Sequence, residues 1–324
     1  MTTGIIYTPK FLAYTNSPEN KDRVSATVDY FKTNGIDDFI SPRKYDENYA
    51  QSVHTPEYIE FLKSVGVIEG NKLTYANVLL SAYGCLTAGE LLAEGTIKNG
   101  FVLARPPGHH AYAGKGGGFC FLNNAAILAR YFQEKGFEKV MIVDWDAHHG
   151  NGTEAIFYHD PSVLYTSVHQ YPLYPGTGKV TDSGSGPGPG EGYNVNVPVP
   201  SYTGHETYME IFDEVLIPVG KKFRPDVLII SAGQDSHRDD PLTNLMLCSD
   251  SYHVMTDQLI RSVCSKTVAI LEGGYNADNV ARANYAIVSA LMGKENNVPV
   301  EPNEEPEGAR QAVLRAKEAV AERW

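Results

Sequence analysis

Seven short apolar runs rich in β-branched residues recur along the chain, at residues 4–7, 101–104, 140–143, 163–167, 193–197, 227–231 and 267–271. Continuous apolar runs of this length read as strands buried on both faces, the pattern of a parallel sheet. Segments of helical period lie between many of them, at 77–92, 123–134, 206–223, 251–263 and 278–292. Ser17-Pro18 and Thr55-Pro56 are two further helix starts, each a capping hydroxyl followed by proline at the first helical position. Parallel strands need crossovers, and the crossovers are helices, so the alternation predicts an α/β fold with helices on both faces of the sheet.

Composition narrows the class further. Of 324 residues, 42% are hydrophobic and 20% charged, which suits a folded core. The 27 Lys and Arg against 39 Asp and Glu give a net charge of −12, which excludes direct nucleic-acid binding through a basic surface. No charge-free apolar run approaches the ~18 residues of a membrane span, and the first ten residues lack an export signal. A cytoplasmic protein without a membrane partner is expected, and Cys85, Cys120, Cys248 and Cys264, far apart in sequence, are expected as reduced thiols. Nothing in the sequence fixes an oligomeric state.

There is no internal repeat, and residues 1–292 read as one domain. The glycine-rich stretches 114–118 and 176–192, the latter with Gly184, Gly186, Gly188, Gly190 and Gly192, lack the Lys-Ser/Thr of a phosphate loop and read as surface loops. Residues 293–324 read as an acidic, proline-containing linker and an amphipathic C-terminal helix carrying Ala309, Ala312, Val313, Ala316, Ala319 and Val320.

Four polar clusters begin where apolar runs end. They are Arg105-Pro106-Pro107-Gly108-His109-His110, Asp144-Trp145-Asp146-Ala147-His148-His149-Gly150-Asn151-Gly152, Gly233-Gln234-Asp235-Ser236 and Glu272-Gly273-Gly274-Tyr275-Asn276. The carboxyl ends of parallel strands share one edge of the sheet, where ligands bind, so one site can collect all four. Asp146 and His148 are one residue apart and project to the same side of an extended backbone. Asp235, a carboxylate ending another apolar strand, is the natural third ligand. Two carboxylates and one imidazole leave open positions, as catalytic zinc sites do. An isolated Asp-x-His is also an ordinary hydrogen-bonded pair; it is the convergence of clusters that favours a metal.

His109 and His110 suit acid–base chemistry, although adjacent histidines can equally be stacked core residues or metal ligands. Asp144 can orient one ring and favour its charged form, whereas Asn151 offers the other a partner without charge. Tyr275, behind two glycines, can aim a phenol at a carbonyl oxygen; its alternative is packing at a strand end.

The motifs Arg105-Pro-Pro-Gly-His-His, Gly118-Phe-Cys-Phe-Leu-Asn, Asp144-Trp-Asp-Ala-His-His-Gly-Asn-Gly-Thr, Pro175-Gly-Thr-Gly and Glu272-Gly-Gly-Tyr-Asn resemble, in order and spacing, the zinc-dependent histone deacetylase family. The resemblance covers residues 1–292 as a catalytic domain. It implies an arginase/deacetylase-like three-layer α/β fold with a mostly parallel sheet of about eight strands. It implies one Zn²⁺ per chain, with Fe²⁺ as the alternative in the cell, on Asp146, His148 and Asp235. His109 and His110 would be the catalytic pair, with Asp144 and Asn151 behind them, and Tyr275 the carbonyl-polarising phenol. Gly118, Phe119, Tyr174 and Leu242 would line the substrate channel. Structural K⁺ ions would lie at Asp144, Asp146, His148, Ser167 and Val168, and at Phe157, Asp160, Val163 and Tyr193.

The resemblance implies removal of an acyl group, most simply acetyl, from a lysine side chain or a similar acylated small amine. An acetylpolyamine amidohydrolase and a non-catalytic acyl-lysine binder are the alternatives. Leu242 stands where polyamine-selecting members carry a glutamate, and an apolar residue suits acyl-lysine better. A binuclear manganese ureohydrolase would need carboxylates where this chain has Gly150 and His237. Asn151 with Trp145 resembles the class II branch and its prokaryotic relatives; Gln234 departs from the usual Phe or Ala, and the histidine usual ahead of Pro18-Glu19 is missing. Arg23 matches a family arginine beside an internal channel.

Overall fold

The computed structural model describes residues 2–15, 17–66, 73–182, 191–296, 300, 303–321 and 323–324. Each apolar run supplies one strand: β1 (Thr2–Ile6), β2 (Ile97–Val102), β3 (Val140–Asp144), β4 (Val163–Gln170), β5 (Asn194–Val199), β6 (Val227–Ala232) and β7 (Thr267–Leu271). They form one sheet in the order β1-β2-β7-β6-β3-β4-β5, and every pairing is parallel. Among the described residues the sheet has seven strands, which corrects the expected eight.

Alternation along each strand builds two cores. In β3, Met141 and Val143 face one layer and Val140 and Ile142 the other. The first layer contains the helices Asp22–Thr33, Ser249–Ser262 and Ala277–Leu291; the second contains Pro56–Ser64, Tyr75–Ala93 and Asn124–Glu134. Tyr75–Ala93 is long and apolar enough to cross a membrane by length and composition, but it packs against β1, β2 and the helix Asn124–Glu134.

Local chemistry explains where helices start and change. Thr55 caps Pro56–Ser64 by accepting the Tyr58 N–H, and Asn123 caps Asn124–Glu134 through the Ala126 N–H. The expected start at Ser17-Pro18 is not used. The helix begins at Asp22, whose N–H donates to Asn20 Oδ1 at 2.9 Å, because Glu19 first turns inward to meet two buried arginines. The segment 206–223 is interrupted: His205–Ile211 widens into a π turn at Phe212–Leu216 before Ile217–Phe223. Pro218 lacks the N–H an α-helical ladder needs there, and the wider turn accommodates the gap.

The glycines at 184, 186, 188 and 190 lie outside the described residues. Gly176 and Gly178 have φ of +83° and +82°, and a Cβ at Gly178 would meet the rings of His149 and His169. The helix Glu307–Ala321 packs on β5 and the π turn, burying Ala309, Ala312, Val313 and Ala316. It thereby covers the edge strand, whose Pro198 is tolerated at that position. Beyond it, Trp324 donates to the Gly192 carbonyl at 2.8 Å and packs edge-on against Tyr193. Val313→Asp would put a carboxylate into this fully buried seam. It is expected to cost at least about 2 kcal/mol, read as a lower urea midpoint, and to red-shift the emission of Trp324.

Candidate metal centre and histidine pair

The four polar clusters follow β2, β3, β6 and β7, which are consecutive in the sheet order β2-β7-β6-β3. Asp144 ends β3, and the turn after it is locked by its own carboxylates: Asp144 Oδ1 accepts the Asp146 N–H at 3.1 Å and Asp146 Oδ1 the His148 N–H at 2.9 Å. Asp235 Oδ1 accepts the Ala147 N–H at 2.8 Å, tying β6 to the same turn. The Gly273 N–H donates to Asp146 Oδ2 at 2.7 Å. Side chains at Gly233 or Gly273 would fall onto the Asp146 carboxylate, so these glycines make room for it.

His148 Nδ1 lies 2.8 Å from Asp235 Oδ2 and 3.2 Å from Asp146 Oδ1. Both carboxylates are fully buried and the histidine side chain is 12% exposed. Burial opposes charge on His148, yet its contacts with Asp146 and Asp235 outweigh that and hold it up at about 10. Burial and the charge of Asp146 push Asp235 up to about 6. Two anionic groups aimed at one lone-pair nitrogen form a donor set for a divalent cation: a positive charge between them relieves the repulsion that otherwise recruits a proton.

The rings of His109 and His110 lie 4.0 Å apart. His109 Nδ1 is 3.1 Å from Asp144 Oδ2, which also accepts the Tyr165 hydroxyl at 3.0 Å. His110 Nδ1 is 2.6 Å from Asn151 Oδ1, and the Asn151 amide donates to Tyr112 at 2.7 Å. Both rings are buried, which disfavours charge. For His109 the Asp146 and Asp144 carboxylates overcome burial and raise its pKa well above the ordinary value. For His110 the charge on His109 adds to burial and holds it well below. The two rings are thus electrostatically unequal, His109 favouring its charged form and His110 its neutral one.

Phe119 packs against Tyr275 with ring centroids 6.0 Å apart, and Tyr174 stands edge-on to His110 at 5.1 Å. A Cβ at Gly118 would run into the His110 ring, so only glycine permits this approach. Tyr174 and Leu242 are 52% and 40% exposed, as rim residues would be. Burial and the nearby Asp235 and Asp146 carboxylates hold the Tyr275 phenol protonated. Of the groups expected for potassium, β3–β4 register sets Ser167 opposite Asp144. Phe157, Asp160 and Val163 share one turn, where Asp160 accepts the Val163 N–H at 3.2 Å, while Tyr193 accepts the Tyr165 N–H at 2.9 Å. The Asp160 carboxylate is engaged by Arg130 at 2.6 Å.

Three positioning carboxylates carried no assigned role in the sequence. Glu272 Oε2 accepts the N–H groups of Gly108 at 2.7 Å and His109 at 3.1 Å, fixing the histidine pair to β7. Asp240 accepts the N–H groups of Tyr275 at 2.7 Å and Leu242 at 2.9 Å. Glu19 binds Arg23 at 2.9 Å and Arg105 at 2.7 Å, and Arg23 donates to the carbonyls of Glu272 and Gly274. A carboxylate closing a fully apolar strand is the signal that marks Glu272; the others depend on partners distant in sequence. Gln234 is 1% exposed, and neither end of its amide has a hydrogen-bond partner among the described residues.

An open parallel sheet that presents two carboxylates and an imidazole beside an electrostatically unequal histidine pair is the arrangement of a metal-dependent hydrolase. The profile of the histone deacetylase domain matches residues 17–291. The chain is 39% identical over 323 residues to a probable deacetylase of Archaeoglobus fulgidus, covering 93% of this chain and 89% of that protein. It is 38% identical over 302 residues to histone deacetylase 15 of Arabidopsis thaliana, covering 87% of this chain but 54% of that protein, so it spans about half of that longer relative. The crystal structure of the HDA15 HD domain superposes with a TM-score of 0.93 at 34% identity, covering 100% of this chain and 97% of that one.

The chain belongs to the histone deacetylase family, with class II-like and prokaryotic relatives, and it is a hydrolytic deacetylase. Asn151→Asp would place a carboxylate against His110 Nδ1 and favour its charged form. The acidic limb of the kcat/KM pH profile is then expected at higher pH than in the parent; an unmoved limb would assign it to another group.

Proposed function

We propose that this protein removes an acetyl group from the side chain of an acylated lysine, using one divalent cation held by Asp146, His148 and Asp235. The observation that carries the reading is the convergence of those three donors beneath a charged and a neutral imidazole. Zinc suits this donor set, and ferrous iron is the alternative. A cation held there supplies Lewis acidity, polarising the amide carbonyl and acidifying water by several pKa units.

The chain's own groups do the rest. His110, neutral and tethered at Nδ1, takes the proton of the attacking water at Nε2. His109, charged and backed by Asp144, stabilises developing negative charge and protonates the leaving amine. Tyr275 donates its phenolic proton to the carbonyl oxygen. Gly118, Phe119 and Tyr174 wall the aliphatic stem, with Leu242 at the rim. Potassium at the two groups of residues named for it would stiffen the β3–β4 end of the site. The four free cysteines suit a cytoplasmic compartment.

Turnover of an acetyl-lysine peptide and of acetylspermidine by the zinc form separates the two substrate classes; preference for the polyamine would overturn the lysine assignment. Tyr275→Phe is expected to lower kcat by about 10²–10³-fold with little change in KM. Removal of the metal by a chelator should abolish turnover, and one equivalent of zinc should restore it.

A further inference from the structure

A second group of ligand-type side chains lies beside the first and shares none of its three residues. His109, Cys120 and Glu272 are 3%, 1% and 0% exposed, and each presents a ligand atom within 4.8 Å of the other two. Glu272 uses only one oxygen on the backbone of Gly108 and His109. The other, Oε1, is buried without a hydrogen-bond partner among the described residues. A buried carboxylate oxygen with no donor is costly, and a cation is one way to satisfy it. The Cys120 thiol makes a long contact, 3.4 Å, to the Gly118 carbonyl and a backbone interaction at His110, neither of which engages it as a metal would. In His109, Nε2 is the nitrogen not engaged by Asp144.

We propose that His109, Cys120 and Glu272 form a second cation site for a thiophilic divalent ion such as Zn²⁺ or Cd²⁺, whose occupation withdraws His109 from the histidine pair and stops turnover. Sulfur, imidazole nitrogen and carboxylate oxygen together select a borderline or soft metal over Mg²⁺ or Ca²⁺. Ligand atoms around zinc stand roughly 3.3–3.8 Å apart, so side-chain adjustments of about 1 Å close the group. As the cation binds, the Cys120 thiol and the charged His109 ring each release one proton to solvent, and thiolate and carboxylate together balance the two positive charges. The site goes beyond the deacetylase reading; only its inhibitory consequence rests on the role given to His109.

The test is a Cd²⁺ titration of the metal-stripped full chain, reading bound metal by equilibrium dialysis and the thiolate-to-cadmium charge-transfer band in the ultraviolet. Two equivalents are expected, with the band growing alongside one of them. Cys120→Ser should keep one equivalent and lose the band. Glu272→Gln, which retains the thiol, should weaken the band-forming equivalent tenfold or more. Asp235→Asn should weaken the other equivalent and spare the band, which separates this site from the Asp146–His148–Asp235 set. No band in the parent protein, or a band that survives Cys120→Ser through Cys85, Cys248 or Cys264, would overturn the assignment. With zinc, turnover should rise to one equivalent and fall with the second, and Cys120→Ser should remove the fall; undiminished turnover with the second ion bound overturns the inhibitory half.

Discussion

Two carboxylates cannot share a dry pocket with an unprotonated imidazole unless something positive lies between them. Asp146 and Asp235 approach His148 Nδ1 at 3.2 and 2.8 Å with no water-facing surface of their own. Their mutual repulsion is unrelieved by solvent. The surrounding structure is arranged to hold them there. Backbone N–H groups of Ala147 and Gly273 fix their outer oxygens, and the glycines at 233 and 273 leave the space a side chain would fill.

A second charged cluster carries that arrangement outward. Glu19 lies between Arg23 and Arg105, all three buried, so one carboxylate faces two guanidinium groups. The arginines direct their remaining donors to backbone carbonyls: Arg105 to Phe11 and Tyr14, Arg23 to Glu272 and Gly274. This fastens the N-terminal loop to the strand end that bears Tyr275, whose ring lies 5.3 Å from the Arg23 guanidinium. The phenol, the histidine pair and the donor set are therefore held through shared backbone rather than by direct contact alone.

Much of this was readable from the sequence where the information is local. Every strand overlaps one of the short apolar runs, and Asp146, His148, His109 and His110 sit in short motifs at strand ends. Asp235 was readable because an unpaired carboxylate at the end of such a strand requires a partner. What was not legible depends on distance: Glu19 acts on Arg105, 86 residues away, and by turning inward it displaces the helix start from Ser17 to Asp22. Glu272 and Asp240 bind backbone N–H groups that carry no side-chain signature. The π turn before Pro218 reconciles a proline with packing on both sides, which periodicity alone reads as one continuous helix.

The most direct measurement is an anomalous difference map at the zinc edge, from crystals grown with one equivalent of Zn²⁺. A single dominant peak is expected between the carboxylates of Asp146 and Asp235 and Nδ1 of His148, at about 2.0–2.2 Å from each. A dominant peak elsewhere, with those three side chains unligated, would contradict the account.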